Sequence, residues 1–312
     1  MLFGLGLAVL VVGAEALIRG AVRIARRFGI SPFLIGLTLV GFGTSAPELV
    51  VNLSAAYSGA TDLAVGNVVG SNIANVGLIL GVAALVRPLS AHMRLLKIEM
   101  PVLLGLSALV WVFASDGVIS RIEGGMLLVG FFLFLGYMFR QARGETPAVR
   151  EEIGSQTAAH AAAPWAAGLS VLVGLAGLVG GAELMVRSAV EMATALGVSQ
   201  TLIGLTVLAI GTSLPELAAT SAAAIRGQSD IAVGNVVGSN LFNFLLILGT
   251  TSAVRPLPVA ESLIRVDIPV MVGFAILLVL VLANGLKVHR WEGSLLLAAY
   301  CGYIAWQVVQ AA

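Results

Sequence analysis

Charge is scarce in this chain. Lys, Arg, Asp and Glu make up 11% of its 312 residues, against about 25% in a soluble domain. Basic and acidic residues nearly cancel, at 17 and 16, so the chain lacks the electropositive surface of a nucleic-acid binder, and no nucleic-acid partner is expected. Cysteine is reduced to Cys301, which excludes an internal disulfide and any multi-cysteine metal site. The three histidines, His92, His160 and His289, fall in or beside expected loops. The first twenty residues, MLFGLGLAVLVVGAEALIRG, lack the basic leader of a signal peptide and read as a spanning helix.

What remains is apolar. Hydrophobic residues make up 59% of the chain and the mean hydropathy is +1.02. Runs close to the roughly 20 residues that cross a bilayer recur along its length. Broken at charges and turn residues, they predict ten spanning helices, with cores at 2–19, 31–57, 61–86, 96–115, 121–140, 165–187, 199–225, 230–254, 263–284 and 291–310. The expected fold is an all-α polytopic membrane protein, embedded in a lipid bilayer. A polar stretch, residues 141–164, separates the fifth span from the sixth and is too short to fold by itself.

Residues 31–90 align without a gap on residues 199–258 at a constant shift of 168, with 34 of 60 positions identical. GTSAPEL lies over GTSLPEL, AVGNVVGSN recurs unchanged at 64–72 and 232–240, and VRPL recurs at 254–257. Self-similarity of this kind marks an internal duplication. Five spans per copy make the second copy enter the bilayer from the opposite side. The sequence thus predicts two inverted five-helix repeats, 1–140 and 165–312, joined by the linker 141–164. Thirteen of the 17 Lys and Arg residues fall in loops on one face of this topology. By the positive-inside rule that face and the linker are cytoplasmic, and both termini lie outside.

Glu48 and Glu216 fall near the middle of the second and seventh spans. A carboxylate at that depth is costly unless paired or solvated, so its default reading is functional. No Lys or Arg is placed to pair with either, which leaves a bound cation or a proton as counter-charge. Thr44 and Ser45 precede Glu48 by four and three residues and share its helical face, as Thr212 and Ser213 do with Glu216. Pro47 and Pro215 bring no backbone N–H, freeing the carbonyls of Gly43 and Gly211, and the carbonyls of Thr44 and Thr212 can tilt inward. Asn67, Ser71 and Asn75, spaced by four, form a polar stripe that Asn235, Ser239 and Asn243 repeat. Carboxylates, hydroxyls, amide oxygens and carbonyls, without sulfur or imidazole, suit hard cations such as Ca2+ and Na+ rather than Zn2+ or Cu+.

Other polar residues have plainer readings. Asn67 and Asn235 read as hydrogen-bonding groups between helices, whereas Ser71, Ser239, Asn75 and Asn243 read as ligands. Asp62 and Asp230 follow short turns and read as N-caps. Glu15 with Arg19, and Glu183 with Arg187, are i,i+4 couples near an interface. Gly66 with Gly70, and Gly234 with Gly238, are small pairs that let helices approach closely.

These motifs resemble the α-repeats of the cation/calcium exchanger superfamily, and those of prokaryotic sodium/calcium exchangers most of all. The resemblance rests on GTSAPE with GNVVGSNIAN and on GTSLPE with GNVVGSNLFN. It implies a secondary antiporter in a prokaryotic cell membrane that exchanges Na+ for Ca2+ without a prosthetic group. It also implies that Glu48, Glu216 and the carbonyls of Thr44 and Thr212 hold Ca2+. One Na+ site would use Glu48, Ala209, Thr212 and Ser239, its inverted mate Glu216, Gly41, Thr44 and Ser71, and a middle site Asn75 and Asn243. The first and sixth helices would slide across the rest as the gate. The short linker lacks the calcium-sensing domains of animal exchangers. Asn243 stands where potassium-dependent relatives carry Asp, which argues against K+ co-transport.

Ca2+/H+ exchange on the same scaffold stays open, because glutamates also bind protons. A passive cation channel is disfavoured by polar residues set in broken helices rather than in a continuous ring. An enzyme finds no support: there is no intramembrane histidine, no metal cluster and no nucleophile–base pair.

Overall fold

The computed structural model describes residues 2–28, 30–59, 61–144, 164–195 and 209–311. Helix α1 (Leu2–Phe28) runs well past residue 19, because Ala21 and Ala25 continue its buried stripe. Helices α2 (Pro32–Thr44) and α3 (Ala46–Ser58) meet at Ser45 with a bend of 42°. Then come α4 (Leu63–Val86), α5 (Leu95–Ala114) and α6 (Arg121–Gly144). After α7 (Pro164–Ala195), the second copy contributes α8 (Ala209–Thr212), α9 (Leu214–Ile225), α10 (Ser229–Val254), α11 (Leu263–Ala283) and α12 (Arg290–Ala311).

Seven of the described helices are each long and apolar enough to cross a membrane, eight if α2 and α3 make one span; α9 is apolar but shorter. The outward surface carries large apolar side chains such as Val12, Phe132, Leu133, Leu172 and Leu280, as contact with hydrocarbon demands. Most of the expected linker, residues 145–163, and the start of the seventh expected span, 199–208, lie outside the described residues.

Contacts between the halves come in reciprocal pairs. Strand β1 (Leu89–Ser90) pairs with β4 (Lys287–Val288), and β2 (Val118–Ile119) with β3 (Leu257–Pro258), both antiparallel. Arg121 Nη2 donates to the Val254 carbonyl at 3.2 Å, and Arg290 Nη2 to the Val86 carbonyl at 3.3 Å. The guanidinium of Arg255 lies by Gly59 and that of Arg87 by Gly227, two turn glycines at φ +86° and +72°. Residues 86, 87 and 59 map onto 254, 255 and 227 by the shift of 168, so each contact has an equivalent made the other way round.

Helices α4 and α10 form the centre; 94% of the apolar window of α10 is buried. Gly234 and Gly238 bring α10 onto the backbone of α2: a Cβ on Gly234 would stand 2.6 Å from the Phe33 carbonyl oxygen, and one on Gly238 would overlap the Leu37 carbonyl. Helices α1 and α7 pack antiparallel through glycine faces, Gly6 by Gly181, Gly13 by Gly177 and Gly20 by Val171. Leu175 of α7 covers Gly43, and Val186 of α7 covers Gly211, so one helix lies over both broken turns.

Two polar readings change. Asp230 is not an N-cap: α10 begins at Ser229, preceded by Gln228, which makes no side-chain cap. Its carboxylate instead meets His92 Nε2 at 3.0 Å, tying the loop before α5 to the start of α10. The side chain of Asp62 lies outside the described residues. Glu15 bonds Arg19, as its spacing suggests, but also takes Arg226 Nε at 2.6 Å, which ties α1 to the end of α9.

The hydrogen bond from His92 Nε2 to the Asp230 carboxylate holds the imidazolium and raises the pKa of His92 above the ordinary 6.5, with partial burial opposing. A raised folded-state pKa means that the pair's stabilisation is complete below 6.5 and fades as pH climbs through the raised value. His92→Gln should therefore lower the thermal midpoint in detergent more at about pH 5.5 than at about pH 9; an equal loss at both would contradict a titrating pair. Gly238→Val should cost about 1–3 kcal/mol or prevent folding, because backbone occupies the added volume. Gly105→Ala, whose Cβ would meet nothing within 4 Å, should be tolerated, and the same thermal scan compares them.

Candidate cation site

The site begins at the two breaks. Ser45 has φ −86° and ψ 3°, Ser213 φ −91° and ψ 4°, values that stop one helix and start another. Pro47 and Pro215 then sit in the first turn of α3 and α9, where no N–H is required of them. Glu48 and Glu216 occupy that same first turn, where unpaired N–H groups favour negative charge. Serine before such a turn ordinarily caps its own helix. Neither does so here. Ser45 Oγ instead donates to Glu216 Oε1 of the other half at 3.0 Å.

The carboxyl groups of Glu48 and Glu216 adjoin, and each residue is 2% exposed. Among the described residues no Lys or Arg is buried, so nothing positive in the described protein neutralises them. Thr44, Ser45, Ser213, Ser71, Ser239, Asn75 and Asn243 are buried too, and Thr212 is half-buried. The backbone of Gly41 lies against Gly238 and Ser239. Ala209 opens α8, its side chain outside the described residues.

Several oxygens of this set have no hydrogen-bond partner: Glu48 Oε2, Glu216 Oε2, Asn75 Oδ1, Asn243 Oδ1, Ser213 Oγ and Ser239 Oγ. Buried oxygens without donors are costly, and a cation satisfies several at once. The set is all oxygen, and no cluster of three His, Cys, Asp or Glu occurs among the described residues.

Asn75 and Asn243 each open a π-helical turn, Asn75–Leu80 and Asn243–Leu248. Such turns are frequent at functional sites, and here they start at equivalent positions of the two copies. No pattern of hydropathy announces them. Asn235 joins helices as expected: its Nδ2 donates to Thr220 Oγ1 at 2.8 Å, and its Oδ1 accepts from Thr44 Oγ1 at 3.3 Å. Asn67 Nδ2 has no partner.

Three residues of this interior escaped the sequence reading. Asn52 Nδ2 donates to the Glu48 carbonyl at 2.8 Å, and Asn72 Nδ2 to the Val68 carbonyl at 2.7 Å. Asn240 Oδ1 receives Asn75 Nδ2 at 2.9 Å. Asn72 and Asn240 were visible as the final letter of the repeated GNVVGSN. Their displacement by one residue from the stripe of four hid them.

Comparison with known proteins places this geometry. A family model described as "Sodium/calcium exchanger protein" matches residues 1–140 and 167–309. The chain is 34% identical to the sodium/calcium exchanger MaX1 of Methanosarcina acetivorans over 96% of its length and 95% of that protein. It is 40% identical to the inner membrane protein YrbG of Escherichia coli, over 80% of this chain and 78% of that one. A solved structure of the sodium-calcium exchanger NCX_Mj, soaked with Na+ and Ca2+, superposes with a TM-score of 0.84 at 35% identity, covering 97% of this chain and 96% of that one.

Proposed function

The chain belongs to the sodium/calcium exchanger protein family, and on that premise we propose that it is a secondary active antiporter that extrudes Ca2+ against an influx of Na+. One observation carries the reading: two adjoining buried carboxylates, one from each copy of the repeat, among neutral oxygens that lack donors. Two carboxylates balance one Ca2+. The same pair, helped by neutral dipoles, can hold Na+ instead, and because both cargoes use Glu48 and Glu216, one must leave before the other binds. That competition couples the fluxes.

In this reading ten spans form two inverted repeats, 1–140 and 165–312, joined by a cytoplasmic linker, with both termini outside. The reciprocal contacts between the halves support a two-fold relation, and five spans per copy make the axis lie in the membrane plane. Ca2+ sits between Glu48 and Glu216 with the carbonyls of Thr44 and Thr212. Na+ uses Glu48, Ala209, Thr212 and Ser239 on one side and Glu216, Gly41, Thr44 and Ser71 on the other. Asn75 and Asn243 line a middle site, and Ser45 and Ser213 add hydroxyl oxygens on the face of the glutamates.

The α1–α7 pair is the moving element. Its glycine faces hold it together as a unit, and Leu175 and Val186 cover the two breaks. A slide of the pair along the bundle uncovers one break while keeping the other closed. Exchange of three Na+ per Ca2+ moves one net charge, about 2.3 kcal/mol per 100 mV.

Inverted vesicles loaded with Na+ should take up 45Ca2+ with pH clamped, and Glu48→Gln or Glu216→Gln should reduce that uptake at least about tenfold, as expected for losing a charged ligand. Wild-type-like uptake in both variants would sink the assignment of the carboxylates. Uptake that follows a pH gradient and ignores Na+ would replace Na+ by H+ as the driving ion.

A further inference from the structure

An asparagine can face a cation only with its oxygen, yet its amide is nearly symmetric in shape. Something must therefore choose the end presented by Asn75. Its Nδ2 donates to Asn240 Oδ1 across the two halves at 2.9 Å. That bond commits the nitrogen end, and Asn75 Oδ1 is left pointing elsewhere, buried and without a partner. Asn75 also opens the π-helical turn Asn75–Leu80.

We propose that Asn240 is a positioning residue, which fixes the amide of Asn75 so that its oxygen, and not its NH2 group, faces the transported cation. Asn240 touches no cation itself; it acts through Asn75. The proposal rests on the exchange reading for the identity of the cation. It extends that reading to a residue outside the stripe of expected ligands.

Two observations support it. First, both amides are 2% exposed, so water does not compete for the bond. Second, the arrangement is one-sided. The equivalent bond would run from Asn243, the mate of Asn75, to Asn72, the mate of Asn240, but Asn72 Oδ1 has no partner. The two-fold sequence repeat alone does not produce the contact, which belongs to one pair of helices in this conformation.

Turning the Asn75 amide by half a turn would present a donor where a cation needs an acceptor. Loss of Asn240 should thus weaken cation binding through Asn75 alone. A carboxylate at position 75 has no such choice, because both of its ends are oxygen.

The test is a double-variant cycle read by equilibrium binding to purified, Ca2+-free protein: the Na+ concentration that half-saturates it, followed with 22Na+. Asn240→Ala should raise it about five- to tenfold, the scale of one buried hydrogen bond. Asn240→Leu, which preserves volume, should do the same and guards against a collapse of packing. In an Asn75→Asp background the same Asn240 substitutions should change it less than about twofold. Equal fold-changes in both backgrounds would show a packing role and overturn the proposal, as would an unchanged value in Asn240→Ala. Because the readout is binding, a protein that shows this pattern but exchanges no Ca2+ for Na+ in vesicles would refute only the exchange reading.

Discussion

The burial of Glu48 beside Glu216 is the constraint on which the rest of this structure depends. Two carboxylates in contact inside an apolar bundle repel one another and lose their hydration. The described protein supplies no buried Lys or Arg against them. It supplies instead first turns of two short helices, a crossed serine, and a shell of amide and hydroxyl oxygens. None of these cancels two negative charges. They lower the cost of holding two charges that no described Lys or Arg neutralises.

That constraint explains the local departures from regular helix. The breaks at Ser45 and Ser213 move each glutamate from mid-helix to a helix start. The prolines, which would damage an unbroken helix, are harmless once the break precedes them. The π-helical turns at Asn75 and Asn243 do the corresponding work on α4 and α10: one extra residue per turn rotates the amide relative to the helix that carries it. Each departure is costly alone and occurs at equivalent positions in both copies, which fits a shared requirement better than accidental strain.

The equivalence of the two halves is incomplete, and the differences fall on polar contacts. Arg226 reaches Glu15, whereas the position equivalent to Arg226 in the first copy is Ser58, so Glu183 of α7, the equivalent of Glu15, has no arginine at that position. His92 holds Asp230, and the position equivalent to His92 is Ala260. Asn75 is held by Asn240 while Asn72 Oδ1 lacks a partner.

By itself the sequence determined the helical membrane class, the duplicated motifs and the chemistry of the interior. These rest on local quantities: hydropathy over about 20 residues, identity at a fixed shift, and the cost of Glu48 and Glu216 in an apolar run. The buried oxygens around them were legible for the same reason, since Thr44 and Ser45 stand four and three residues before Glu48, and Ser71 four before Asn75. Only the tertiary structure decided which oxygens meet. Ser45 turns to Glu216 of the other half, Asn240 takes Asn75, and His92 claims an Asp230 that would otherwise read as a cap. All three contacts join residues more than 130 positions apart, one at the bend at Ser45, one at the start of a π-helical turn and one from the loop before α5. Spacing along one helix carries no information about them, because the partner is fixed by how separate elements meet.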